Sequence, residues 1–484
     1  RQVEGLRMSE PPALGPRKWR QYTAAITINL SAVATGLSIG WTSPTIAHLQ
    51  DEKTPVLNES LTQDEISWVT AIFCVSPIFP LPLCNPLSDK FGRKIFASLI
   101  AVPAGLSWLL TILARDLVCL VIARVLAGLA VGMTVFIVPM YVSEIASDEV
   151  RGVLGSFLMF ALNIGILLGF VFGVAMSYQM FAICGLTLPI LFVCAFAFMP
   201  ETPIYLLRKN RHDAATRSLM WLWDNEKIIV DRELLKLQET LKKDERSGKS
   251  VSFRDLWGNR GTTRGFLIAL ALLPGQQTSG IAVVFMYTAT IFRLAGSSLD
   301  PDSAAIILAG MQVVGSLLAT MAIERAGRRP LLLISTGGMA ISHGFLGAFL
   351  LLQSQGHDVS SFNWLPVVIL SSYTIFYCIG IGPVAFVVSM EVLTPDIAGL
   401  ANSLAVALMW IMSFVTVKGF PVTSEVIGNY GCFFVLAVFC SCTFLFTYFF
   451  VPETKGKTIE SIIEELNGGV QSTKSDMNKE RTAP

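Results

Sequence analysis

Apolar runs and polar breaks alternate along this chain with a long period. Twelve predominantly apolar stretches of about 20 residues fall at 21–48, 66–87, 95–114, 117–141, 153–177, 180–199, 265–291, 303–323, 330–352, 364–390, 399–417 and 430–451. Each can cross a hydrocarbon layer of about 30 Å as a helix. Backbone polar groups in hydrocarbon find partners only within their own segment, so the pattern predicts helices throughout. The longest polar interruption is 200–264. Within it, residues 226–247 read as a helix, with Leu234, Leu235, Leu237 and Leu241 on a weak apolar face. Helices capping one membrane face are expected there, with a flexible linker as the alternative. The stretch after Ile463 is polar and is expected to be disordered.

The halves echo one another. DKFGRK at 89–94 follows the second span and ERAGRR at 324–329 the eighth. PMYVSEIASDEVRG at 139–152 follows the fourth and SMEVLTPDIAG at 389–399 the tenth. Pro-Glu-Thr recurs at Pro200 and Pro452. Three paired landmarks at six-span spacing imply an internal duplication. The predicted fold class is an all-α membrane protein of twelve transmembrane helices in two six-helix bundles. The units are 1–20 N-terminus, 21–199 first bundle, 200–264 helical linker, 265–451 second bundle and 452–484 tail.

Composition agrees: 53% of the 484 residues are hydrophobic and 15% charged, against about a quarter charged in soluble chains. Of the 36 Lys and Arg, 31 fall on the face that carries both termini and four on the other, with Arg124 inside span 4. That bias puts both termini in the cytosol. Asn58, Glu59 and Ser60 then form a glycosylation sequon outside, whereas the sequon at Asn29 lies within span 1. A net charge of +1 offers nucleic acid no basic footprint. The four histidines are scattered and the nine cysteines sit in or beside apolar runs. This predicts no disulfide framework, no metal and no cofactor. The basic stretch 1–20 does not read as a cleavable signal peptide. No paired catalytic carboxylates, nucleophile motif or phosphate loop suggests an enzyme.

The candidate chemistry centres on 273–288. Gln276 and Gln277 lie in an apolar run with no acid or base between Gly265 and Ile291. An amide in hydrocarbon costs several kcal/mol without partners. Pro274, Gly275 and Gly280 loosen the helix around the pair. A broken helix carrying amides at mid-membrane can build a solute site; a polar seam between helices is the alternative. Gly165, Gly169 and Gly173 in span 5, and Gly128 and Gly132 in span 4, are small residues every fourth position. They suit close packing or a hinge.

The ordered set DKFGRK, PMYVSE with RG, PETP, GQQTSG, ERAGRR, GP with SME, and PETKG resembles the sugar-porter branch of the major facilitator superfamily over about residues 20–460. Gly40, Trp41, Thr42, Ser43 and Pro44 look like the insect facilitated trehalose transporters and the related class III glucose transporters. The resemblance implies a solute site of Gln276, Gln277, Gln312 and Trp410, with Phe386 at a tryptophan position. Asn163 lies one turn beyond Met159, where the family's span 5 glutamine falls. It implies a cytosolic gate of Asp89, Arg93, Glu144, Arg151, Glu324, Arg328 and Glu391, whose charge pairs would tie the bundles together when the cavity opens outward. Arg124 matches a family arginine and is expected to pair with carbonyls or a polar neighbour.

Departures from the family pattern fall in the same site. Ala282 and Met409 replace asparagines, and Ala398 replaces an arginine beside Glu391. Ser38 and Cys378 stand where coupled carriers hold acids. With no Asp or Glu deep in any span, downhill transport is expected. The expected function is facilitative transport of trehalose or a hexose at the plasma membrane, with the solute and the bilayer as partners. A non-transporting sugar sensor and a carrier of another polar solute, such as a polyol, are the alternatives.

Overall fold

A computed structural model describes residues 18–51, 57–147, 149–247 and 253–467, without the side chains at 240, 242–247, 253, 323–324 and 395. Every regular element among the described residues is a helix. Span 1 is Trp19–Gly40 with Thr42–Leu49, span 2 Gln63–Val75 with Leu81–Phe91, and span 3 Arg93–Leu99 with Ala101–Leu113. Spans 4 to 6 are Leu117–Ile145, Arg151–Ala175 and Tyr178–Phe196. Span 7 is Arg260–Thr278 with Ile281–Leu294, span 8 Pro301–Arg325, span 9 Arg328–Ser354, and span 10 Leu365–Ile379 with Ile381–Glu391. The helical run Pro395–Phe450 has 56 residues. At 1.5 Å per residue it is about 84 Å long, more than twice the hydrocarbon thickness. Gly428, at φ 77° and ψ 163°, breaks it into spans 11 and 12.

Breaks follow the chemistry of the chain. Span 2 bends by 48° where Pro77, Pro80 and Pro82 cluster, since each proline removes a backbone donor. The glycine stripes are packing seams. Gly36 and Gly40 of span 1 face Gly165 and Gly169 of span 5, and a Cβ on Gly40 would lie 3.0 Å from the Gly169 Cα. A Cβ on Gly132 of span 4 would lie 3.0 Å from the Pro77 Cα of span 2. Removing side chains there lets backbones touch, which supplies the dispersion contact that lipid-immersed helices depend on.

The largest contacts between the two halves are Gln63–Val75 of span 2 on the Pro395–Phe450 run, span 5 on span 8, and Thr42–Leu49 on Ile281–Leu294, which Trp19–Gly40 also touches. Span 2 and span 1–span 7 contacts lie away from the face that carries the termini and linker, here the basic face. The rest of span 2, Leu81–Phe91, packs on spans 3 and 4 of its own half. The seam between the halves is thus closed on the side opposite the basic face.

The linker folds as Pro203–Arg208, His212–Leu222 and Lys227–Ser247, followed by a 3-10 turn at Phe253–Trp257. Leu234, Leu237 and Leu241 pack on Tyr205, Leu206 and Ala215; Leu235 instead points outward. Order continues past Ile463, through a helix Ile459–Asn467. Ile462 and Leu466, one turn apart, are both buried. The Asn467 Oδ1 accepts the Gly261 N–H at 2.6 Å, and the Leu466 carbonyl accepts Arg264 at 2.8 Å. The tail helix therefore caps the start of span 7.

Candidate functional site

Span 7 breaks at Gly280, not at Pro274. The helix runs through the proline to Thr278, and Gly280 takes φ +89°. A Cβ there would be strained and would lie 2.7 Å from Leu436 Cδ1. The break leaves the Ser279 carbonyl free for side chains. It accepts the Tyr373 hydroxyl at 3.0 Å and His343 Nε2 at 2.8 Å. Since a carbonyl only accepts, His343 must carry its proton on Nε2. Spans 9 and 10 thus hold the break in place.

Gln276 lies one turn before the break, 2% exposed, and its Nε2 donates to the Gly382 carbonyl at 2.8 Å. Gly382 follows the break in span 10, at Gly380. The Gln276 Oε1 is buried without a partner among the described residues. Gln277 is buried beside it. In span 8, Gln312 Nε2 donates to Asn163 Oδ1 of span 5 at 2.8 Å. Asn163 Nδ2 donates to Ser316 Oγ, and Ser316 donates to the Gln312 carbonyl at 2.9 Å. Gln312 Oε1, too, is buried without a partner. Asn163 and Gln312 therefore bond each other across the two halves. Trp410 and Phe386 are half-buried and pack against the surrounding core.

Ser316 escapes a reading of sequence, and so does the role of the Gly382 carbonyl, although Gly382 opens the GP motif. A serine on a helix commonly bonds its own backbone, and a carbonyl leaves no mark in the residue pattern. Arg124 behaves as expected. It donates to the Ser38 carbonyl at 3.2 Å and to Thr42 Oγ1 at 2.7 Å, with its guanidinium 4.2 Å from the Phe73 ring centroid.

On the side away from the basic face, polar bonds seal the seam. The Tyr287 and Thr70 hydroxyls bond at 2.9 Å, and Tyr287 stacks on Phe420 at 5.4 Å. Ser43 Oγ accepts the Ala289 N–H at 3.0 Å. Lys418 of span 11 reaches Asp64 and Ser67 of span 2, each at 2.6 Å, and lies 4.3 Å from the Trp68 ring centroid. Asn58 is exposed on this side, its N–H donating to the Arg115 carbonyl at 2.8 Å.

At the basic face, charges pair within each half. Arg93, fully buried, bonds Asp89 at 2.8 Å and Glu144 at 3.2 Å. Arg328 bonds Glu391 at 3.3 Å. Arg151 donates to the Ala146 carbonyl at 3.3 Å. Arg329, the last residue of ERAGRR, donates to the Tyr448 carbonyl at 2.5 Å. The Glu324 side chain lies outside the described residues. Two glutamates not singled out from sequence join these clusters. Glu201 accepts the backbone N–H groups of Arg93 and Lys94, each at 3.1 Å, and Glu453 those of Arg328 at 2.9 Å and Arg329 at 3.3 Å. Both belong to the repeated Pro-Glu-Thr.

A family model described as "Sugar (and other) transporter" matches residues 24–466. The facilitated trehalose transporter Tret1 of Anopheles gambiae is 34% identical over 460 residues, 95% of this chain and 58% of that protein, so the chain spans little more than half its relative's length. Tret1 of Polypedilum vanderplanki is 34% identical over 95% of this chain and 90% of its own. The xylose transporter XylE from E. coli, in an inward-open conformation, superposes with a TM-score of 0.75 at 23% identity, over 91% of this chain and 99% of that one. That likeness concerns the fold, the twelve-helix major facilitator architecture. The match over most of the chain, together with the spans and paired landmarks, makes this a multi-pass membrane protein that belongs to the sugar (and other) transporter family.

Proposed function

We propose that this chain is a facilitative carrier of a sugar, trehalose or a hexose, working by alternating access at the plasma membrane with both termini in the cytosol. The observation that carries the reading is the pair of buried amide oxygens, Gln276 Oε1 on span 7 and Gln312 Oε1 on span 8, left without partners among the described residues. An unpartnered buried acceptor costs about 1–3 kcal/mol, which a hydroxyl of a bound solute recovers. Gln277 adds a second amide on span 7. Trp410 and Phe386 supply apolar faces suited to a sugar ring. Asn163 acts on the solute through Gln312.

The basic face becomes cytosolic under the positive-inside bias. The seam is then closed outside, and the charge clusters of Asp89, Arg93, Glu144 and Arg151, and of Arg328 and Glu391 with Glu324, are the parts of an inner gate. They pair within their own halves in this open-inward state and re-pair across the seam when the cavity opens outward. Asn58 is the glycosylation acceptor. Curated relatives named for facilitated trehalose transport favour trehalose as the first solute to try. The second reading, a sensor that binds without transporting, is motivated by Ala282, Met409 and Ala398 at positions where the family carries polar residues. In a host lacking its own sugar carriers, Gln276→Ala is expected to abolish saturable uptake while reaching the surface normally. Unchanged uptake would remove Gln276 from the site.

A further inference from the structure

The polarity of the two site glutamines is set by backbone carbonyls. A carbonyl oxygen can only accept, so the Gln276 atom facing Gly382 O at 2.8 Å must be Nε2. Its Oε1 is left over. The same logic runs through three residues at the seam. Ser316 Oγ lies 2.9 Å from the Gln312 carbonyl and must donate to it. Having used its one proton, Ser316 can only accept from Asn163, so Asn163 turns Nδ2 to Ser316 and Oδ1 to Gln312. Gln312 therefore presents Nε2 to Asn163 at 2.8 Å and keeps Oε1 unpartnered. Gln276 and Gln312 are each 2% exposed, so neither oxygen is solvated at the surface. The Tyr377 hydroxyl lies near the Gln276 amide without bonding its oxygen.

We infer that these two glutamines read the solute solely as acceptors, through Gln276 Oε1 and Gln312 Oε1, so that a carried solute must offer two hydroxyl donors to them. Ser316 and Asn163 are positioning residues that lock Gln312 in this sense. The inference rests on the sugar-carrier reading above and narrows it to a requirement on particular hydroxyls.

Fluorine tests it, because a C–F group accepts weakly and never donates. The measurement is inhibition of labelled glucose or trehalose uptake, in proteoliposomes, by analogues in which each hydroxyl in turn is replaced by hydrogen or by fluorine. At two positions the deoxy and deoxyfluoro analogues should both weaken by about tenfold or more and agree within about twofold. At any position where the site donated, fluorine would restore affinity that hydrogen had lost. In Ser316→Ala the lock opens and Gln312 can turn its Nε2 to the solute. One of the two deoxyfluoro analogues should then regain about fivefold or more over its deoxy counterpart, and Ser316→Thr should behave as the wild type. A general loss of packing would weaken both analogues alike.

Fluorine substituting well for hydroxyl at every position that hydrogen weakens would overturn the acceptor assignment and leave the carrier reading intact. An unchanged analogue pattern in folded Ser316→Ala would remove Ser316 from the positioning role. Should that variant not fold, the wild-type series decides the acceptor assignment unaided. Absence of uptake and of binding for both parent sugars would overturn the carrier reading, and this inference with it.

Discussion

Glu201 and Glu453 each accept the first free N–H groups of a membrane helix, span 3 and span 9 respectively. Such groups have no partner within the helix, and a carboxylate at a helix N-terminus also opposes the positive end of the dipole. Gly92 and Gly327 make room, since a Cβ on either would collide with the glutamate carboxylate. Glu201→Ala should lower stability by about 1–3 kcal/mol, measured by thermal unfolding in detergent. Burial raises the Glu201 carboxyl above its ordinary 4.5, against backbone N–H groups of Thr202, Lys94 and Arg93 that favour the charged form. The folded protein thus binds this proton more tightly than the unfolded chain. Glu201's contribution should fall as pH rises from about 4.5 through the raised value, and Glu201→Gln should lose that part of the pH slope. The Pro-Glu-Thr repeat was visible in the sequence, but its purpose was not, because a cap is defined by where a backbone begins. Gln276 and Gln277 were legible because amides stand out in an apolar run. Ser316 was not, because one more serine in a helix does not.

At the scale of elements, span 7 was expected to loosen between Pro274 and Gly280. The break came only where a left-handed residue allows the chain to turn, since Pro274 needs just one carbonyl left unbonded in the turn before it. Gly280→Ala should reduce uptake more than surface expression, because strain at φ +89° and the Leu436 contact would shift Ile281–Leu294. That segment carries Tyr287 and the Ala289 N–H that seal the seam. Lys418 shows how a span boundary hides a contact. Ending span 11 at 417 makes Lys418 a loop charge, yet the helix continues and carries it to Asp64, Ser67 and Trp68. It pulls the halves together on the outer side under the proposed orientation. Lys418→Ala should therefore raise the outward-open fraction, read as faster labelling of a cysteine placed in the outer half of the cavity. Restoration by the exchange Asp64→Lys with Lys418→Asp would attribute the effect to the pair; slower labelling in Lys418→Ala would contradict it.

Across the whole molecule, the twelve spans and their family were legible because hydrocarbon imposes a length and a polarity on every crossing. The side on which the seam is closed was not, because the same residues must serve both states of a carrier. Asn58 tests the orientation. Removal of N-linked glycans should shift the mobility of the wild type and leave Asn58→Gln unchanged, while an unmodified wild type in a glycosylating host would count against an outside first loop. The most direct test of facilitative sugar transport is uptake of radiolabelled trehalose and glucose into proteoliposomes, with and without an imposed proton gradient. Saturable uptake of at least one sugar, running to equilibrium and no further in either condition, is the predicted result. Accumulation above the external concentration when the gradient is imposed, or no saturable uptake of either sugar by folded protein, would contradict it.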